Sequence, residues 1–145
     1  MDLIKLKVKT VVLSSQGLCS LLLTDEGEKK VLPITIGFFE AQAIAFPLEG
    51  KTPPRPLTHD LLKTICQKLN GELEKVVITD IKDDTYYSEI YLRRNGDIMQ
   101  IDARPSDAIA LALRYDAPIY MAPRLVEFTY DYSDIFKDYV DGDID

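Results

Sequence analysis

One order of pattern occurs twice along this chain, and it limits the fold more than any other feature. At a spacing of 65 residues, Val11 and Val12 match Val76 and Val77, Ile36 matches Ile101, and Leu48 matches Leu113. At the same spacing Ala43-Ile44-Ala45 matches Ala108-Ile109-Ala110. The identities are sparse, but they fall at core-type positions of strand-like and helix-like segments. They predict an α+β fold of duplicated β-β-β-α units, 6–50 and 71–115, on a largely antiparallel or mixed sheet. Chance register of alternating apolar residues is the competing explanation.

The local signals agree with that order. Ile4, Leu6 and Val8 alternate with Lys5, Lys7 and Lys9, the period of a strand with one solvated face. Two further strands follow around a turn near Glu26-Gly27, and then the alanine-rich "FFEAQAIAFPLEG" reads as a short helix ended by Pro47 and Gly50. In "LTHDLLKTICQKLNG" the residues Leu61, Leu62, Ile65, Cys66 and Leu69 form one apolar stripe, predicting a linking helix that stops at Asn70-Gly71. Three strands follow, two of them joined by a hairpin at Asn95-Gly96, then a third helix from "RPSDAIALALRYDAP" and a last short strand "IYMA".

Charge is unevenly placed. The chain carries −7, and from Glu127 to Asp145 seven acidic residues oppose Lys137 alone, so the remainder is nearly neutral. We expect a domain over 1–122 and an acidic C-terminal extension over 123–145, either solvated or packing Phe128, Tyr130 and Tyr132 as a structural strand. The opening alternation of apolar residues and lysines is unlike a signal peptide, so a cytoplasmic location is expected. Cys19 and Cys66 form no CxxC pair, which argues against a zinc site. Aromatic residues such as Phe38, Phe39, Phe128, Tyr130 and Tyr132 exceed what short helices can cover, so a homodimer is expected.

Two stretches carry the candidate chemistry: "RPLTHDLL" from Arg55 and "RPSDAIALAL" from Arg104. Thr58, Asp60, Ser106 and Asp107 suit helix starts, where acceptors meet unpaired N–H groups and the positive end of the dipole. The arginines do not serve that purpose, but they suit a phosphate or carboxylate. His59 is the only histidine, which excludes a two-histidine acid/base pair. Glu40, His59, Asp60 and Asp107 are therefore the candidate catalytic residues, and Arg55, Thr58, Arg104 and Ser106 the candidate substrate-binding residues. Glu40, Asp102 and Asp107 are the candidate ligands of a divalent metal. Carboxylates with arginines permit Mg²⁺- or Mn²⁺-assisted phosphoryl hydrolysis without specifying it.

The strings "IG..EA.AIA", "RP.THDL" and "D.RPSDAIALA.R", in that order, closely resemble the bifunctional nuclease family. The resemblance runs to about Ala122. It implies a nuclease acting on RNA and DNA, with the motif positions Glu40, Arg55, Thr58, His59, Asp60, Asp102, Arg104, Ser106 and Asp107 in this chain. The alternative is a non-catalytic module or oligomeric scaffold that binds an anionic ligand or nucleic acid through the same arginines.

Overall fold

A computed structural model describes residues 2–14 and 16–142, with side chains up to Lys137. The acidic Asp143 and Asp145 of the expected extension lie outside the described residues, and Asp138 and Asp141 outside the described side chains. The fold is α+β. β1 (Ile4–Leu13), β2 (Cys19–Asp25) and β3 (Lys30–Ile36) form an antiparallel meander followed by α1 (Phe38–Leu48). After α2 (Thr58–Lys68), a second antiparallel meander of β4 (Gly71–Lys82), β5 (Thr85–Arg94) and β6 (Asp97–Ala103) leads into α3 (Pro105–Tyr115). β7 (Ile119–Met121) follows, then a 3-10 helix (Pro123–Phe128), β8 (Tyr130–Asp131) and α4 (Tyr132–Gly142).

All eight strands make one sheet in the order β6-β5-β4-β7-β1-β2-β3-β8. β7 pairs antiparallel with β1 and parallel with β4, the one parallel pairing in a sheet otherwise antiparallel. Turn residues fix the hairpins. Asn95 and Gly96 both take positive φ between Arg94 and Asp97, the conformation that a two-residue hairpin loop demands. The β4–β5 turn does the same with Asp83 and Asp84, a pair of aspartates that carries no obvious turn signature. α2 ends on Asn70 in the left-handed region, while Gly71 already opens β4 and lets the Cys66 carbonyl approach closely.

Lys30 and Phe38, the first residues of β3 and α1, have as counterparts Asp97 and Pro105, the first residues of β6 and α3; both pairs lie 67 residues apart. The apolar matches suggest 65. β4 is two residues longer than β1 and carries two register irregularities, at Leu73/Lys75 and Ile78/Asp80, where β1 has one. A spacing of 67 sets Glu40 opposite Asp107, where a spacing of 65 sets it opposite Pro105.

The main core lies between the sheet and the helices. α3 is its centre, with Ala108, Ile109, Ala110, Leu111 and Ala112 all buried. α2 departs from expectation. None of its residues is buried, and its apolar stripe stands open, with Leu61 53% and Leu69 57% exposed. The helix docks on α3 through polar groups instead, among them Lys63 donating to the Arg114 carbonyl at 2.7 Å. Past Ala122, Leu125 is fully buried and Phe136 packs with Leu22, Val31 and Tyr132, so these residues join the body. Of the aromatic segment, Tyr130 pairs with Val31 in the sheet and Tyr132 stacks on Phe136 at 4.5 Å.

Candidate functional site at three helix starts

Three helices each place an acidic residue at their third position: Glu40 in α1, Asp60 in α2 and Asp107 in α3. A carboxylate there faces unpaired N–H groups and the positive end of the dipole. What separates the three is the partner each one meets.

Asp60 is structural in its surroundings. Its Oδ2 accepts the Leu57 N–H at 2.8 Å and its Oδ1 accepts Arg114 Nε at 2.7 Å. Burial alone would raise its carboxyl; the Leu57 N–H and the Arg114 guanidinium outweigh that and hold it below the ordinary value. Arg114 is only 6% exposed and also donates to the carbonyls of Ala43, at 2.7 Å, and Ala110, at 3.0 Å. One arginine thus joins α1, α2 and α3. It was not among the candidates, although it is the one cation closing the apolar run "AIALALR".

Asp107 meets one shielded partner and one exposed partner. Its Oδ1 accepts His59 Nε2 at 2.9 Å, and its Oδ2 accepts Arg104 Nε at 3.0 Å. Burial would raise this carboxyl too, but His59 and Arg104 together keep it below the ordinary value. An ionised carboxylate only accepts, so Nε2 carries the proton in this contact. Arg104 then reaches Glu40, with Nη1 3.6 Å from Oε2. Glu40, Arg104, Asp107 and His59 therefore form one chain of contacts across the starts of α1, α3 and α2. Arg104 is its exposed member at 66%, and His59 is shielded at 13%.

Residues of β3, of the β4–β5 hairpin, of the starts of α1 and α3, and of the 3-10 helix and β8 line a groove of about 870 Å³. Glu40, Arg104 and Ser106 line it at the helix starts, while Asp84, Tyr86, Glu127, Phe128 and Tyr130 line it elsewhere. His59 and Asp107 do not line it; they sit behind Arg104. Burial, then the neighbouring Tyr130, push the Tyr86 phenol up. Gly37 has a specific role here. A Cβ at this position would collide with Glu40 Oε1, so the glycine lets the carboxylate fold back over the helix start.

The remaining candidates stand apart. Arg55 and Thr58 are exposed at the entrance of α2, with no hydrogen bond or ion pair among the described residues. Asp102 is exposed on β6 in register with Glu89. Glu40, Asp102 and Asp107 therefore do not fit a metal site as arranged: Glu40 and Asp107 both turn an oxygen to the Arg104 guanidinium, which occupies the position of a shared cation. Among the described residues no group of three histidine, cysteine, aspartate or glutamate side chains could hold a metal ion.

Among the described residues the groove carries one guanidinium, Arg104, held between carboxylates at two helix starts of an α+β domain. Comparison with known proteins gives its family. The bifunctional nuclease domain model matches residues 21–130, and the chain belongs to that family. It is 44% identical over 101 residues to an uncharacterized protein of Mycobacterium tuberculosis, covering 70% of this chain and 60% of that protein. It is 29% identical over 104 residues to bifunctional nuclease 1 of Oryza sativa subsp. japonica, covering 70% of this chain and 31% of that protein. Bifunctional nuclease 2 of Arabidopsis thaliana is 29% identical over 98 residues, covering 66% of this chain and 30% of that protein. The chain thus spans less than two thirds of the length of these relatives.

Proposed function

We propose that this chain hydrolyses phosphodiester bonds of RNA and DNA at the Glu40–Arg104 end of the groove. The observation that carries the reading is Arg104, gripped by Asp107 on one side and Glu40 on the other yet two thirds exposed. A guanidinium fixed in this way meets a phosphate with little loss of side-chain freedom, and it stabilises charge that builds on the phosphoryl oxygens. Glu40, which lines the groove beside it, takes a proton from the attacking water as its oxygen bonds to phosphorus, and returns it to the sugar oxygen that leaves as the old P–O bond breaks. Asp107 and His59 act as positioning residues that set the plane of the guanidinium. No described group of ligands calls for a metal in these roles.

The test is cleavage of single-stranded RNA and DNA oligonucleotides by purified variants, with and without EDTA. Glu40→Gln and Arg104→Ala should each lose about a hundredfold or more. His59→Gln should lose less, and EDTA should change nothing. Loss of activity in EDTA, restored by Mg²⁺ or Mn²⁺, would replace this mechanism with metal-assisted hydrolysis on Glu40 and Asp107. Cleavage indifferent to every substitution would leave the non-catalytic binding module as the better reading.

The same proposal includes a homodimer, with the contact on α2 and β6. An 11-residue helix with no buried residue lacks the packing that stabilises short helices in water. β6 is an open sheet edge whose Met99 and Ile101 are both exposed. In an antiparallel pairing of two copies centred on Gln100, Met99 of each faces Ile101 of the other. A dimer mass in sedimentation, lost in Ile65→Glu, supports this contact; a wild-type monomer at micromolar concentration rejects it.

A further inference from the structure

The groove holds more than the chemistry at its helix end requires. Its far end is aromatic and acidic: Phe128 is 41% and Tyr130 56% exposed, Tyr86 stands beside them, and Asp84 and Glu127 supply carboxylates. These rings stand on the wall of a groove, beside carboxylates, where a flat ligand can reach their faces. With Glu40 included, three carboxylates line the groove against one guanidinium, which Glu40 and Asp107 already neutralise. A phosphate is therefore repelled from the far end. The flat, uncharged part of a nucleotide is not.

We propose that this far end is a nucleobase site that takes unpaired bases through ring stacking on Tyr130 and Phe128 and through their hydrogen-bond donors, guanine foremost. The proposal rests on the nuclease reading only for the polymer to which the base belongs. A volume of about 870 Å³ lies within the range of small-ligand clefts, roughly 300–1,000 Å³. Stacking on aromatic side chains is how single strands are commonly held, and it tolerates any base. The carboxylates add selection. Guanine presents two adjacent donors, N1–H and the 2-amino group, which one carboxylate accepts together. Adenine and cytosine each offer one amino group. Uracil and thymine offer a single N–H between two carbonyls, which a carboxylate repels. In a duplex that edge is already paired, so the base must be unpaired to bind.

The experiment uses the full chain and four labelled pentanucleotides of sequence TTXTT, with X as G, A, C or T, joined by cleavage-resistant phosphorothioate linkages. Fluorescence anisotropy should give TTGTT about tenfold tighter binding than TTTTT. Tyr130→Ala and Phe128→Ala should each weaken all four by about tenfold, in line with the worth of one base–aromatic stack, while Tyr130→Phe keeps wild-type affinity. Glu127→Gln should erase the preference for G without weakening TTTTT. Equal affinities for the four, unchanged in Tyr130→Ala and Phe128→Ala, overturn the proposal. Parallel cleavage assays on ordinary oligonucleotides separate the two readings. Full cleavage by Glu40→Gln and Arg104→Ala with the base preference intact removes the catalytic roles alone. Loss of cleavage in those variants with no base preference removes the nucleobase site alone.

Discussion

Arg114 and Arg104 make the same kind of contact and live in opposite surroundings. Each binds through Nε to an aspartate at the third position of a helix, Asp60 at 2.7 Å and Asp107 at 3.0 Å. The Arg114 side chain is 6% exposed and gives Nη1 to two backbone carbonyls, so it is shut away from any ligand in the groove. Arg104 is 66% exposed, opens the groove, and makes no described hydrogen bond to backbone. The residue types and the Nε contact are alike at the two sites; burial and the two carbonyl bonds separate a brace from a candidate ligand-binding group.

The largest expected effect tests that contrast directly. Arg114→Met leaves Asp60, itself 32% exposed, and two carbonyls without their donor, which should cost about 1–3 kcal/mol. Arg104→Met removes a screened surface interaction and should cost about 0–1 kcal/mol. Urea unfolding of both variants, set beside their cleavage rates, should show the two effects crossing: Arg114→Met unstable, Arg104→Met stable and inactive. Comparable losses of stability in the two would erase the distinction.

A smaller effect appears in acid. Asp60 and Asp107 both have carboxyls held below their ordinary value in the folded chain. A depressed group stabilises the fold above its unfolded pKa, about 3.9 for aspartate, and loses that contribution as pH falls through the folded value. Stability should therefore hold down to about pH 5 and decline below about pH 4. Because solvent screens Arg104 more than Arg114, Asp60→Asn should flatten the acid decline of the melting temperature more than Asp107→Asn does. A steeper decline in either variant than in wild type would contradict the sign.

The parts of this contrast legible in the sequence were the local ones. The helices beginning near Phe38, Thr58 and Pro105, the Asn95-Gly96 turn and the succession of strands along the chain follow from turn chemistry and from periods of two and 3.6, which neighbouring residues determine. Arg104 stood out because a cation at a helix start needs an explanation. Arg114 did not, because a cation in a last helical turn is ordinary, and its partners come from Ala43 and Asp60, distant in the chain. The apolar stripe of α2 reads as a core face by pattern, yet packing on α3 through Lys63 and His59 turns it outward. Nor could any local pattern bring Tyr86, Phe128 and Tyr130 together, since they come from β5, the 3-10 helix and β8, far apart in the chain.

β7 is three residues long, and it alone joins the two meanders. Each meander is closed by hairpins between neighbours in sequence, so each forms from local encounters. Their union does not: β7 pairs Met121 with Ile4 and Ile119 with Val76, linking the first strand to one of the last. Loop-closure entropy delays such contacts. Folding should thus proceed as two quick local collapses and one slow suture, and until that suture is made the inner edges of β1 and β4 remain unpaired, open to the same strand of another chain.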